Sequence, residues 1–503
     1  MDRRQNVCPC DLVMTSKCLK SLSTLVLGFA AISPVYAQDD VSDKAAAKEA
    51  VKALKAAQSA PDTPETQEDA AQSDIQNKGI SLGVDPLSLI TVVPGGPPVR
   101  IPIAVPNAIR LGDNVDSENL AQTLAEVIRN DLTMSGLFEV MPVETYALVD
   151  ESKEGVTPST IQFSSWYNVG ASILVKSHYK IGGRGDTGAF TFALYNVDLA
   201  TEVPLDFGTR ECNADSVRAL GHAFVNALIG YYTGEEGVFG TRILYAAQGK
   251  NNFRTVQAFD TDGYGISTYK VPPAINVMPE WGPEGSVLFT QLSTKSDNIY
   301  RYDPDGTLTQ LTDFEGWASG ADYCPKTGKI AFTGAREENG NIFIMNADGT
   351  DVVQLTDLPN NIQTSPSFSP DCKRIAFVSD YSGKPQIYII NVDGSGMRRI
   401  TWVGNYNTTP DWSPKGDLIA FTARDERNVF DIFTINVNTG EVLRLTQDQG
   451  HNKEPSWSPD GRYIVFESTR DGKQPRLYLM NQDGRWQTRL SAKPGLKTPT
   501  WHR

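Results

Sequence analysis

Four histidines, His178, His222, His451 and His502, are the side chains here that ordinarily titrate nearest neutrality, so acid–base or metal chemistry would draw on them first. None stands in the spacing that gathers ligands around a metal ion. His222 falls in a helical pattern, where packing or capping accounts for it. A hydrolase would need a nucleophile with its base, and no such pairing is read here. Asp260-Thr261-Asp262-Gly263 and Asp303-Pro304-Asp305-Gly306 imitate part of a calcium loop but lack its remaining ligands, so both read as hairpin turns. Of six cysteines, Cys8, Cys10 and Cys18 lie in the leader-like start of the chain. Cys212, Cys324 and Cys372 remain, an odd number, so at most one bridge could form; Cys324 and Cys372 occupy equivalent turn positions in adjacent repeats, and separate free thiols are expected. No catalytic, metal or cofactor residues are expected, which leaves binding as the function class.

The residues that would position a binding site recur periodically. A proline, one residue and an aromatic appear at Pro279-Glu280-Trp281, Pro366-Ser367-Phe368, Pro410-Asp411-Trp412, Pro455-Ser456-Trp457 and Pro499-Thr500-Trp501, with a degenerate copy at Ala321-Asp322-Tyr323. The aromatics are 42 to 45 residues apart, the length of one four-stranded propeller blade. Each repeat reads as four strands, A to D, with A carrying the motif. Short apolar runs such as Ile387-Tyr388-Ile389-Ile390 form strand C, and Asp-Gly pairs such as Asp393-Gly394 form the C–D hairpin turn.

The last motif has two residues after it and cannot own strands B to D. Arg242 to Val271 supplies B to D without an A. One blade thus combines both ends of the array, and the expected fold is an all-β six-bladed propeller of WD40-like, PD40-type repeats over residues 237–503. The C-terminal strand would close the ring and remove free sheet edges. A–B and C–D turns then share one end. The longer B–C and D–A loops share the other, where function tends to lie.

The net charge of −14 argues against a nucleic-acid partner, which needs a basic footprint. Residues 1–37 read as a signal peptide, of which 1–13 look like an upstream extension. Lys17 and Lys20 precede an apolar run from Leu22 to Ile32, and Val35-Tyr36-Ala37 suits cleavage. Residues 38–79 are rich in Ala, Asp, Glu, Gln and Lys and read as a disordered linker.

Residues 80–236 read as an α/β domain. Leu89-Ile90-Thr91-Val92-Val93 is a strand-like run, and Val99 to Val105 a second strand. Asp116 is placed to cap a helix from Ser117, stopped by Gly136. Asn213 caps a second helix carrying Val217, Leu220, Phe224, Val225 and Leu228.

At this point the chain resembles the TolB family, periplasmic components of the Tol-Pal system of Gram-negative envelopes. The marks are joint: a signal peptide, the α/β domain, then the ring. Local marks are Asp131-Leu132 followed by Ser135-Gly136-Leu137-Phe138, then Gly170-Ala171, Gly221-His222 and Phe239-Gly240-Thr241-Arg242-Ile243. The resemblance implies a monomeric scaffold without enzymatic activity or cofactor. It would contact TolA through an N-terminal strand and the outer-membrane lipoprotein Pal through one propeller face, supporting envelope integrity during cell division. Colicins would dock on the same face, and other outer-membrane proteins would be further partners. The TolA segment would be Leu89, Ile90, Thr91, Val92 and Val93. The Pal positions, counted back from the A-strand motif, are Trp317, Gly320 and Thr364, with Asn407, Thr408, Asn452 and Glu454 in corresponding loops. A secreted propeller enzyme and a carbohydrate-binding propeller are the alternatives; the second would use exposed aromatics, for which Trp317 and Tyr406 are the candidates.

Overall fold

The computed structural model describes residues 100–150, 154–314, 316–335 and 339–501. The leader, the linker and the segment Leu89 to Val93 lie outside the described residues.

The α/β domain begins with β1 (Ile101–Ala104) and β2 (Ile109–Arg110), followed by α1 (Leu120–Ser135), β3 (Phe138–Val140) and the short α2 (Phe163–Asn168). Next come β4 (Ile173–Ile181), β5 (Thr187–Asn196), β6 (Thr201–Val203), β7 (Thr209–Asn213) and α3 (Val217–Thr233). The sheet order is β3-β1-β4-β5-β6, with β2 on β4 and β7 on β5. β1 pairs in parallel with β3 and β4, whereas β4 and β5 form an antiparallel hairpin.

Helix α1 starts at Leu120 rather than Ser117 because Asn119 takes a left-handed conformation, φ 54°. Asp116 still caps the helix: its carboxylate accepts the N–H groups of Leu120 and Ala121 at 2.9 and 3.0 Å. Gly136, φ 68°, ends it as the sequence suggests. Before α3, Asn213 Oδ1 accepts the N–H of Ser216 at 3.1 Å. Leu124, Ile128 and Leu132 of α1 and Phe224, Val225 and Leu228 of α3 share one buried cluster. The helices approach closely where α3 carries Gly221; a Cβ there would stand 2.7 Å from Val127 Cγ1.

The second domain is a β-propeller. Its strands form four separate four-stranded sheets and one eight-stranded sheet, not six separate ones. The large sheet contains two groups of four joined by a single parallel bridge, Ile275 with Arg254. One group takes its first strand from the C-terminus: Leu496–Trp501 pairs antiparallel with Arg242–Gln248.

The middle residue of the Pro-x-aromatic motif ties neighbouring sheets. Asp322 Oδ2 accepts the Phe368 N–H at 2.6 Å, Ser367 Oγ that of Trp412 at 3.0 Å, Asp411 Oδ2 that of Trp457 at 2.7 Å and Ser456 Oγ that of Trp501 at 3.1 Å. Thr500 Oγ1 donates to Glu280 Oε2 at 2.8 Å, linking the last motif to the first. Trp412, Trp457 and Trp501 are buried beside these bonds, so the motif supplies both the apolar filling and the polar tie.

Cys324 and Cys372 are joined by a disulfide with Cα atoms 6.1 Å apart, contrary to the expectation of free thiols. Stacking of adjacent sheets brings together two residues that lie 48 positions apart. Cys212 is free and buried.

Candidate functional site

One end of the propeller is covered by the α/β domain. Tyr463, which follows an A–B turn, donates its hydroxyl to the Ser135 carbonyl at 3.2 Å. Trp486, in a C–D turn, donates Nε1 to the Gly136 carbonyl at 3.2 Å. Arg462 donates to Thr233 Oγ1 at 2.9 Å, and Lys415 pairs with Glu235 at 3.2 Å. Tyr232 of α3 and Phe239 share a buried cluster with Tyr463 and Trp501 of the propeller. Every one of these propeller residues lies on the short-turn end.

At this interface sits a buried charged group that the sequence reading missed. His222 Nδ1 lies 2.6 Å from Asp131 Oδ2, and its Nε2 lies 3.5 Å from Asp262 Oδ2. Arg218 also binds the Asp262 carboxylate and stacks on Tyr264, 3.9 Å from the ring centroid. Burial by itself lowers the imidazole, but the hydrogen bond and charge of Asp131, with the charge of Asp262, outweigh it and hold His222 above its ordinary value. Burial raises Asp131 above the usual carboxylate range, with His222 pulling the other way. Ligand atoms of Asp131, His222 and Asp262 lie within 4.8 Å of one another, a set that resembles a metal site. The ring, however, bridges the two carboxylates through opposite nitrogens, and Arg218 already neutralises Asp262. The arrangement therefore suits a proton rather than a metal ion. The three residues are spread over more than a hundred positions, and the only sequence signal was that Asp131 and His222 lie in the local marks of the resemblance.

The opposite end carries the B–C and D–A loops and the expected partner positions. The structure sorts these into different roles. Asn407 and Asn452 open their A strands, the motif-bearing strands at one edge of each sheet, and are buried. Asn407 Nδ2 donates to Gln386 Oε1 at 2.8 Å and to the Val403 carbonyl at 3.0 Å. Asn452 Nδ2 donates to Asp431 Oδ1 at 3.0 Å. Both amides are engaged in supporting loops. Thr364 and Thr408, one position further along, are half-buried, and Thr364 Oγ1 lies 3.3 Å from Thr333 Oγ1 of the preceding sheet.

Gly320 and Glu454 occupy a third register, at a β-bulge with left-handed φ of 62° and 53°. The other A strands repeat this bulge at Met278, Ser365, Thr409 and Thr498. The N–H groups of Gly320, Ser365 and Glu454 each donate to a threonine hydroxyl of the preceding sheet at 3.1 Å: Thr290, Thr333 and Thr422. Only Gly320 announces the conformation in the sequence; at the other five positions tertiary pairing overrides side-chain preference. Burial, and then the neighbouring Glu467 carboxylate, push Glu454 up to about 7, against Lys453 and Lys497.

Trp317 starts its A strand, half-buried, and a Cβ on Gly340 would meet its ring at 3.1 Å, so the indole lies over a B–C loop. Tyr406 is half-buried between Phe430, 5.7 Å away, and the Arg424 guanidinium, 4.3 Å away. Neither is the open aromatic platform a carbohydrate-binding propeller would use. The string Gly79-Ile80-Ser81-Leu82-Gly83 has the spacing of a hydrolase nucleophile elbow, and it lies outside the described residues.

Comparison with known proteins agrees with this architecture. The TolB beta propeller domain family matches residues 230–503, and the TolB amino-terminal domain family matches residues 90–203. The chain is 41% identical over 334 residues to the Tol-Pal system protein TolB of Myxococcus xanthus strain DK1622, covering 66% of this chain and 74% of the relative. It is 40% identical over 280 residues to the Tol-Pal system protein TolB of Anaeromyxobacter dehalogenans strain 2CP-1, covering 55% and 62%. The crystal structure of TolB from Acinetobacter baumannii matches with a TM-score of 0.68 at 26% identity, covering 80% of this chain and 97% of that one. With both domains matched in order, the chain belongs to the TolB family.

Proposed function

We propose that this protein is a non-enzymatic periplasmic scaffold of the Tol-Pal system that binds the lipoprotein Pal through the loop end of its propeller and TolA through Leu89 to Val93. The observation that carries the reading is the division of the propeller into two ends. The α/β domain occupies the short-turn end through Ser135, Gly136 and Thr233. Gly320, Thr364, Thr408 and Glu454 stand at the other end, where the N–H groups of Gly320 and Glu454 and the Thr364 hydroxyl make inter-sheet hydrogen bonds. A rigid, loop-fringed face suits the recognition of another folded protein with little ordering cost.

The propeller itself is read as a closed ring of six blades. Support comes from its eight-stranded sheet, which divides at one bridge into two groups of four, and from the Thr500–Glu280 bond between the last and first motifs. Residues 1–37 are proposed as the export signal and 38–79 as a linker, with the α/β domain over 80–236 and the ring over 237–503. The system's role in envelope integrity and outer-membrane constriction extends to this chain on the same proposal.

The test is capture from envelope extract by the exported chain, read by mass spectrometry. Recovery of a lipoprotein with a peptidoglycan-binding domain supports the reading. Its absence, with the bait folded, contradicts it. For the TolA contact, Ile90→Pro removes a backbone donor needed to add a strand and should weaken TolA binding while sparing Pal. Equal loss of both would contradict a local TolA site.

A further inference from the structure

The repeats offer an internal comparison that isolates one residue. Four D strands are followed directly by Leu311-Thr312, Leu355-Thr356, Ile400-Thr401 and Leu445-Thr446, and a fifth by Leu490-Ser491. In all four the threonine hydroxyl accepts the N–H of an isoleucine on strand C, namely Ile299, Ile342, Ile387 and Ile432, at 2.9 to 3.0 Å. The registers are therefore equivalent. The residue that follows is Asp313, Asp357 or Gln447 in three repeats and Trp402 in the fourth.

Trp402 is 73% exposed and the adjacent Val403 79% exposed, in a D–A loop on the end assigned above to the partner. The loop is held from below. Asn407 Nδ2 donates to the Val403 carbonyl at 3.0 Å, and Gln386 Nε2 donates to the Gly404 carbonyl at 3.2 Å. Thr401 Oγ1 donates to Gln386 Oε1 at 2.8 Å. The Arg399 guanidinium lies 4.7 Å from the indole centroid. A large apolar side chain on a fixed loop, mostly exposed, in a register that elsewhere carries Asp313, Asp357, Gln447 and, after Leu490-Ser491, the small Ala492, is the form a binding anchor takes.

The surroundings define what it would meet. In a chain of net charge −14, residues 398–410 contain Arg398 and Arg399 and no Asp or Glu. The neighbouring B–C loop, tied to this one by the Asn407 N–H and Pro385 carbonyl at 3.0 Å, carries Lys384 and an exposed Tyr381, while its one carboxylate, Asp380, accepts the Ile362 N–H at 2.8 Å. We propose that Trp402 and Val403 are the apolar anchor of the partner interface, inserting into an aliphatic pocket rimmed by carboxylates on the partner protein. The proposal rests on the reading that this end of the propeller binds Pal. It adds the residues that supply apolar contact and the charge sign of the surface they meet.

Trp402→Gln copies the residue that an equivalent register of the same protein accepts, so the fold should be retained. The probe is the soluble domain of Pal from the same organism, titrated by calorimetry, with melting followed by circular dichroism. Trp402→Gln should weaken binding at least about tenfold with an unchanged melting temperature. Lys384→Glu should weaken it further as ionic strength falls, whereas the native chain should bind more tightly. Undiminished affinity in Trp402→Gln, alongside loss in a Gly320→Arg, Thr364→Arg double variant, overturns the anchor and leaves the face assignment standing. Undiminished affinity in both overturns the face assignment itself.

Discussion

His222 Nδ1 stands 2.6 Å from Asp131 Oδ2, and the other nitrogen of the same ring faces Asp262 of the propeller. The ring thus lies between an α/β-domain carboxylate and a propeller carboxylate, and Arg218 binds the second of them. A neutral ring would leave one nitrogen lone pair facing a carboxylate in a buried interface.

The sign of the resulting pH dependence is fixed by direction alone. His222 is held above its unfolded value, so its contribution is fully present below about pH 6.5 and is lost as pH rises through the folded value. The raised Asp131 acts in the same sense, because the fold binds its proton more tightly than the unfolded chain does. His222→Gln should cost about 3–5 kcal/mol at pH 6, and less at pH 9. Denaturant unfolding of both proteins across this range measures it. A constant difference would show that the ring acts only by packing.

The Cys324–Cys372 bridge joins two sheets that otherwise meet through side chains and the Asp322 tie to Phe368. Replacing both cysteines with serine should lower stability by about 2–4 kcal/mol. Peptide mapping of the unreduced protein should recover 324 linked to 372, with the Cys212 thiol reacting only after unfolding, since it is buried and pushed up to about 11 by burial and the Asp116 charge.

Removing Lys497 to Arg503 deletes Trp501, which is 1% exposed and donates Nε1 to Thr241 Oγ1 at 2.7 Å. It also removes pairing with Arg242–Gln248. The lost indole alone should cost about 3–5 kcal/mol. Melting at the native temperature would contradict closure by the C-terminal strand.

Glu454, pushed up to about 7, is ionised at a cost in the fold when the pH exceeds that value. Because its folded value is raised, the cost grows as pH climbs from its unfolded value of about 4.3 through 7. Glu454→Gln should therefore melt higher than the native protein at pH 8, the two converging near pH 5. Identical curves at pH 8 would show the carboxylate to be solvated.

Much of the architecture is legible because it is local and repeated. The Pro-x-aromatic spacing, the Asp-Gly hairpins and the caps at Asp116 and Gly136 each follow from a few adjacent residues, whereas Asn213 ends a strand and bonds Ser216, the N-cap residue, instead of capping the helix itself. What escaped is set by distance in space. Equivalent turn positions in adjacent repeats bring Cys324 and Cys372 near one another but do not show that their thiols meet, and nothing in the sequence places Asp262 beside His222. The left-handed bulge is masked wherever the residue is Met, Ser, Thr or Glu instead of Gly320. For the site, counting back from the motif leads to the loop ends of the A strands, and only the fold shows that the positions reached there differ in burial. Asn407 and Asn452 turned out to be buried loop supports, and Trp402, whose exposure only the fold reveals, was passed over.

On the proposed function, the loop end of the propeller, opposite the α/β domain, receives Pal. Arginine at Gly320 and Thr364 would project bulk and charge from that end. Gly320 has φ 62°, so its substitution adds modest strain, and a Cβ there meets only Met278 Sδ at 3.6 Å. The decisive measurement is calorimetric titration of soluble Pal into the Gly320→Arg, Thr364→Arg variant, after circular dichroism has shown it folded. The account predicts loss of binding; native affinity in the folded variant would contradict it.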